Sequence, residues 1–253
     1  MDMQTLVNEP IIEELEFSAD GLRLRGTLHL PESRPAPLVV GCHGLLSDRR
    51  SPKQIALAEA CRRRGLAYFR FDHRGCGESE GRLEADTSLE DRVSDLLHAV
   101  RHLYRRPDIR QRLGLFGSSM GGAVCLRAAA PSGAAALVTC AAPVRSRPLK
   151  AVFSFARPDR PAAALLKREF DLADCLAAVR NILVFHGDAD DVVPVAHAHE
   201  IFQSAADPRR LIIQPNGDHP MSDPGHQRQF VAEAALWFER GLTCPPAADQ
   251  PAA

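Results

Sequence analysis

What the sequence lacks narrows its class. It has no charge imbalance: 31 Lys+Arg stand against 32 Asp+Glu, for a net charge of −1. No global field therefore draws the chain to nucleic acid or to an anionic membrane, and neither is expected as a partner. No apolar run approaches the ~20 residues needed to cross a bilayer. The seven cysteines, at 42, 61, 76, 125, 140, 175 and 244, include no C-x-x-C pair and fall mostly inside apolar runs. That is the distribution of reduced, buried thiols rather than of a disulfide framework or a zinc site, so a cytoplasmic protein without a bound metal is expected. The start, MDMQTLVNEPIIEELEF, carries acids where a signal peptide needs a basic region and an apolar core. No internal repeat is apparent.

What is present suffices for one core. At 253 residues and 45% hydrophobic content, a single domain over residues 1–242 is expected, with 243–253 (TCPPAADQPAA) as a frayed tail. Residues 11–30 form two alternating segments joined at Asp20-Gly21, a hairpin signal. Apolar runs at 38–42, 66–71, 113–116, 135–140, 181–185 and 210–213 read as strands, mostly buried on both faces. Helical stretches at 51–64, 86–106, 123–130, 194–204 and 227–240 alternate with them. The class is α/β: a mainly parallel, twisted sheet of about eight strands, antiparallel at its N-terminal edge, with helices on both faces. Residues 144–174 break the alternation and read as a short lid. Their seven basic and four acidic residues suit a solvated surface.

The chain pivots on residues 113–128, LGLFGSSMGGAVCLRA, where a strand-like run gives way within a few small residues to a helical one. The junction holds Gly117-Ser118-Ser119-Met120-Gly121, a Gly-x-Ser-x-Gly turn that lifts its central serine onto a strained corner. Glycines are needed two residues either side because strand and helix come too close for a Cβ. Ser119 meets that requirement; Ser118, flanked at the same spacing by Phe116 and Met120, does not. A serine hydroxyl needs a histidine to take its proton and a carboxylate to orient the imidazole, in the order Ser, acid, His on such a scaffold. The acids just beyond a later strand are Asp188, Asp190 and Asp191, which spacing alone does not separate. His219 lies beyond the last strand, with His226 as the alternative. His43-Gly44 ends the strand at 38–42, so the N–H of Leu45, together with that of Met120, is expected to receive an oxyanion. Asp72 and Arg74 read as ties within a glycine-rich loop, and His73 as a residue bordering the pocket.

Five stretches together, CHGLLSD (42–48), FDHRGCGESEG (71–81), GLFGSSMGG (114–122), HGDADDVVP (186–194) and NGDHPMSDP (216–224), resemble the α/β-hydrolase superfamily of serine hydrolases. Within it the chain is similar to compact bacterial esterases, including feruloyl and cinnamoyl esterases and S33-type hydrolases. The resemblance implies the α/β-hydrolase fold and a Ser119–His219–Asp190 triad, the acid being the second aspartate of the 186–194 motif. It implies hydrolysis of a small carboxylic ester without a cofactor. His43, His73, Phe153, Phe155 and Val192 are expected as substrate contacts. Peptide or thioester cleavage by the same triad, and non-catalytic ligand binding on the same fold, are the alternatives.

Overall fold

A two-residue turn opens the fold. Asp20 (φ 49°) and Gly21 (φ 84°) both occupy the left-handed region that a hairpin turn matching the twist of its strands requires. They join β1 (Ile11–Ala19) to β2 (Leu22–Leu30), paired antiparallel from Ile11↔Leu30 to Ala19↔Leu22. The structure, a computed structural model, describes residues 11–146 and 169–243.

The remaining strands are β3 (Ala36–Cys42), β4 (Ala67–Phe71), β5 (Ile109–Ser118), β6 (Ala136–Cys140), β7 (Arg180–Gly187) and β8 (Ala206–Gln214). Among the described residues the eight form one sheet in the order β1-β2-β4-β3-β5-β6-β7-β8. β2 pairs antiparallel with β4, and every pair from β4-β3 onward is parallel. β3 and β6 are buried along their whole length, which is why their sequences are continuous apolar runs rather than alternating ones. The helices are α1 (Pro52–Arg63), α2 (Leu83–Asp86), α3 (Leu89–Leu103), α4 (Met120–Ser132), α5 (Ala196–Ser204) and α6 (Pro224–Thr243). α3, α4 and α5 cover one face, burying Val93, Leu96, Val124 and Ile201 against it. α1 and α6 cover the other, with Leu57, Cys61, Phe230 and Phe238. No helix among the described residues is long and apolar enough to cross a membrane.

The helix expected over 86–106 starts later, because Ser88 caps α3 by accepting the N–H of Asp91 at 3.1 Å, leaving α2 as a separate turn. Asp72 accepts the N–H groups of Arg49 (2.7 Å) and Glu78 (3.0 Å) and pairs with the Arg49 guanidinium. Arg74 bonds Asp95 at 2.8 Å and Asp20 at 2.6 Å. Both residues thus tie the loop after β4 to its surroundings.

The two ends of the segment expected as a lid meet. Ser146 N–H donates to Phe170 O at 3.2 Å, Leu172 N–H to Val144 O at 3.0 Å, and Arg145 is held by Glu200 of α5 at 2.6 Å. Residues 147–168, which include Phe153 and Phe155, lie outside the described residues, as do 244–253.

One buried histidine makes the fold sensitive to acid. His29 on β2 accepts the Arg70 Nε–H at its Nε2 (2.9 Å), so it must be neutral there. Burial first, and the Arg70 charge second, lower its pKa to about 4. The folded state then binds fewer protons than the unfolded one below the ordinary imidazole range, so this contribution is present near neutrality and lost as pH falls towards 4. The thermal midpoint is expected to fall less steeply between pH 7 and 4.5 in His29→Gln than in the parent. Melting curves at stepped pH check this, and parallel pH profiles would contradict it.

Candidate active site

The carboxyl ends of β3, β5, β7 and β8 form one rim, and the chemistry collects there. β5 ends in Ser118, and Ser119 takes φ 54° and ψ −124° before α4 begins at Met120, a conformation disfavoured for any residue with a Cβ. A Cβ on Gly117 would overlap Gly121 O, and one on Gly121 would overlap Cys42 O at the end of β3. Both glycines are therefore required by close backbone approach. The Ser119 N–H donates to Cys140 O at 2.8 Å, which fixes the corner to β6.

The loops after β7 and β8 are braced against each other. A Cβ on Gly187 would overlap Gly217 O. Asp188 accepts the Asn216 N–H at 2.6 Å, and Ala189 N–H donates to Gly217 O at 3.1 Å. Asp188 is thereby committed to bracing. Asp190, its side chain fully buried, accepts the N–H groups of Val192 (2.9 Å) and Val193 (2.8 Å) on Oδ1. Its Oδ2 lies 2.8 Å from His219 Nδ1 and 3.3 Å from His186 Nε2. Burial pushes the Asp190 pKa up, but the hydrogen bonds from His186, His219 and the Val193 N–H outweigh it and hold the carboxyl below the usual carboxylate range.

His219 completes the line, with Nε2 3.1 Å from Ser119 Oγ. An ionised Asp190 only accepts, so Nδ1 carries the proton, and Nε2 presents its lone pair to the serine hydroxyl. Ser119, His219 and Asp190 are thus brought together, while Asp191 and His226 make no hydrogen bond or ion pair with this group among the described residues. The backbone N–H groups of Leu45 and Met120 take part in no hydrogen bond among the described residues. They flank Ser119 from the end of β3 and the start of α4 and are available as donors.

Of the expected substrate contacts among the described residues, His43 lines the cleft, while His73 and Val192 do not. His73 is fully buried, with its Nδ1 3.3 Å from Asp95 and its N–H donating to His43 Nε2 at 3.1 Å. It supports the rim from behind and does not border the pocket. His43 lines the cleft, but both ring nitrogens are occupied, since Nδ1–H donates to Gly44 O at 2.7 Å. Burial, then the charges of His73 and Arg92, hold its pKa well below the ordinary imidazole value, so it is a neutral brace. Val192 is not among the residues lining the cleft and serves Asp190 through its N–H.

Sequence reasoning missed Arg92. Fully buried on α3, it donates to Leu45 O at 3.1 Å, Gly44 O at 3.4 Å and Cys76 Sγ at 3.3 Å. No carboxylate pairs with it among the described residues, and burial lowers its pKa. Because the peptide is planar and trans, holding the Gly44 carbonyl from behind turns the Leu45 N–H the other way. A signal was available: Arg92 falls three residues after Leu89 on the apolar stripe of α3 with Val93 and Leu96, where an arginine is out of place. The cleft itself measures about 530 Å³ and is lined by Leu45, Leu46, Gln54, Phe116, Ser118 and Pro220 beside Ser119 and His219.

Residues 33–171 match the family described as serine aminopeptidase, S33, and residues 157–243 match the prolyl oligopeptidase family. Over 216 residues the chain is 31% identical to the uncharacterized protein YfhR of Escherichia coli O157:H7, covering 82% of this chain and 73% of that protein. Among solved structures it superposes on the Pyrococcus furiosus esterase Pf2001 with a TM-score of 0.80 at 18% identity, covering 92% of this chain and 91% of the other. It superposes on ferulic-acid-bound Est1E from Butyrivibrio proteoclasticus with a TM-score of 0.74 at 18% identity, covering 90% and 98%. At such identities the two structures show the shared fold.

Proposed function

The chain belongs to the S33 family of α/β-hydrolase-fold serine hydrolases, and on that premise we propose that it hydrolyses a small carboxylic ester through a covalent acyl-serine. The observation that carries this reading is the unbroken hydrogen-bonded line from Asp190 through His219 to Ser119 Oγ. His219 Nε2 takes the hydroxyl proton as Oγ attacks the carbonyl carbon, and Asp190 stabilises the imidazolium that forms. The negative oxygen of the tetrahedral intermediate is received by the N–H groups of Leu45 and Met120, a contribution of about 3 kcal/mol per donor. His219 then gives its proton to the departing alkoxide, leaving an acyl-enzyme. Water, deprotonated by His219, attacks the acyl-enzyme; the tetrahedral adduct collapses, the serine regains its proton, and the acid is released. The unpaired thiols of the six described cysteines support a cytoplasmic location.

The family description and the prolyl oligopeptidase match favour a second reading, cleavage of a peptide amide by the same groups. A panel of 4-nitrophenyl acetate, an aminoacyl-4-nitroanilide and an acyl thioester separates the readings. Turnover of the oxygen ester well above the other two is expected. Preferential cleavage of the anilide would transfer the chain to the peptidase reading, and inertness to all three would leave ligand binding.

A further inference from the structure

One wall of the cleft, formed by the first turn of α1, is rich in hydrogen-bond donors. Among the described residues, none lining the cleft is acidic, and Lys53 is the one lysine or arginine there. Its ammonium makes no ion pair or hydrogen bond among the described residues. Asp218 feels its charge but is held first by hydrogen bonds from Ser222. Lys53 stands in the first turn of α1, and residues Ser51 to Gln54 of that turn all line the cleft. Ser51 makes no side-chain cap, Pro52 has no N–H, and the turn carries no acid. The N–H groups of Lys53 and Gln54 take part in no hydrogen bond among the described residues. The positive end of a 12-residue helix is therefore left open at the cleft that holds Ser119.

An independent observation points the same way. Gln54 is 1% exposed. Its Oε1 accepts the Tyr68 hydroxyl at 2.7 Å, while its Nε2 has no partner among the described residues. A buried donor left unpaired is uncommon, because burial without a hydrogen bond is unfavourable. Nor is the side chain there by chance: a Cβ on Gly41 would overlap both Gln54 Oε1 and Tyr68 Oη, so β3 leaves room for the pair. An ammonium, two main-chain N–H groups and a primary amide are complementary to an anion with several acceptor oxygens, and an uncharged ester offers no such group at that wall.

We infer that this wall is a carboxylate subsite, and that the substrate is an ester carrying a second, free carboxylate a few carbons from the scissile bond. The inference rests on the ester-hydrolase reading, and two pairs of esters test it. Monomethyl adipate against methyl hexanoate places the carboxylate on the acyl side; 4-acetoxybutanoate against butyl acetate places it on the alcohol side. In one pair the charged ester is expected to show a kcat/KM about tenfold above its neutral partner. That ratio is expected to fall towards unity in Lys53→Met and to be kept in Lys53→Arg. Turnover without a charge preference in either pair would overturn the subsite and leave the reading intact. If no ester is turned over, the reading fails and the subsite is judged by calorimetric titration of monomethyl adipate. Binding weakened about tenfold in folded Lys53→Met supports it; equal binding by parent and variant overturns it.

Discussion

Ser119→Ala is expected to lower kcat for 4-nitrophenyl acetate by about 10⁴-fold or more while leaving the protein as stable as the parent. The rate follows from losing the only atom that forms the covalent bond, since Leu45, Met120 and His219 then act on water alone. The unchanged stability follows from the backbone. Ser119 sits at φ 54° and ψ −124°, and alanine keeps the Cβ that makes this conformation costly. Ser119→Gly removes that Cβ, so it is expected to lose the same activity yet gain about 1 kcal/mol of stability. Steady-state rates and urea unfolding of the three proteins check both halves. An alanine variant that retains activity, or that unfolds, would show that the serine is a structural turn residue.

Asp190→Asn is expected to lower kcat by about 10³- to 10⁴-fold with little change in KM. An amide at this position can present its NH2 to His219 Nδ1, which would then have to accept, leaving the proton on Nε2 where the serine hydroxyl needs a lone pair. The variant also loses a charge that stabilises the fold. Because Asp190 is held below the usual carboxylate range, its stabilising contribution is present above that range and lost as pH falls through the folded pKa. The stability gap between parent and variant is therefore expected to be wide at neutral pH and to narrow in acid. Urea unfolding across pH reads the gap; a gap that widens on acidification would mean the carboxyl is not the stabilised anion described.

Much of this site was legible before any coordinates, and the reasons are local. Gly117 and Gly121 declare the corner at Ser119 because two backbones meet where a Cβ would sit, and that demand is written directly in residue type. The buried strands were legible as apolar runs, and the hairpin turn as Asp20-Gly21. The acid was less so: Asp188, Asp190 and Asp191 share a loop, and only the structure shows Asp188 bracing Asn216 while Asp190 turns inward to two N–H groups and two imidazoles. His43 and His73 look the same in sequence as ligand-binding histidines. What decides otherwise is burial: both His43 ring nitrogens are taken, by Gly44 O and the His73 main-chain N–H, and the fully buried His73 ring lies against Asp95. Arg92 was obscured because helical periodicity sorts residues by face, and a charge on the wrong face reads as an imperfect stripe until the carbonyls it holds are seen.

Turnover depends on Ser119 being made nucleophilic by an imidazole that Asp190 holds in place. Fluorophosphonate labelling followed by peptide mapping tests this most directly, because it reads the serine itself without assuming a substrate. The parent is expected to acquire one adduct, on Ser119, at a rate lowered by about 10³-fold in His219→Ala. An adduct on Ser118, or labelling of Ser119 equally fast without the imidazole, would contradict it.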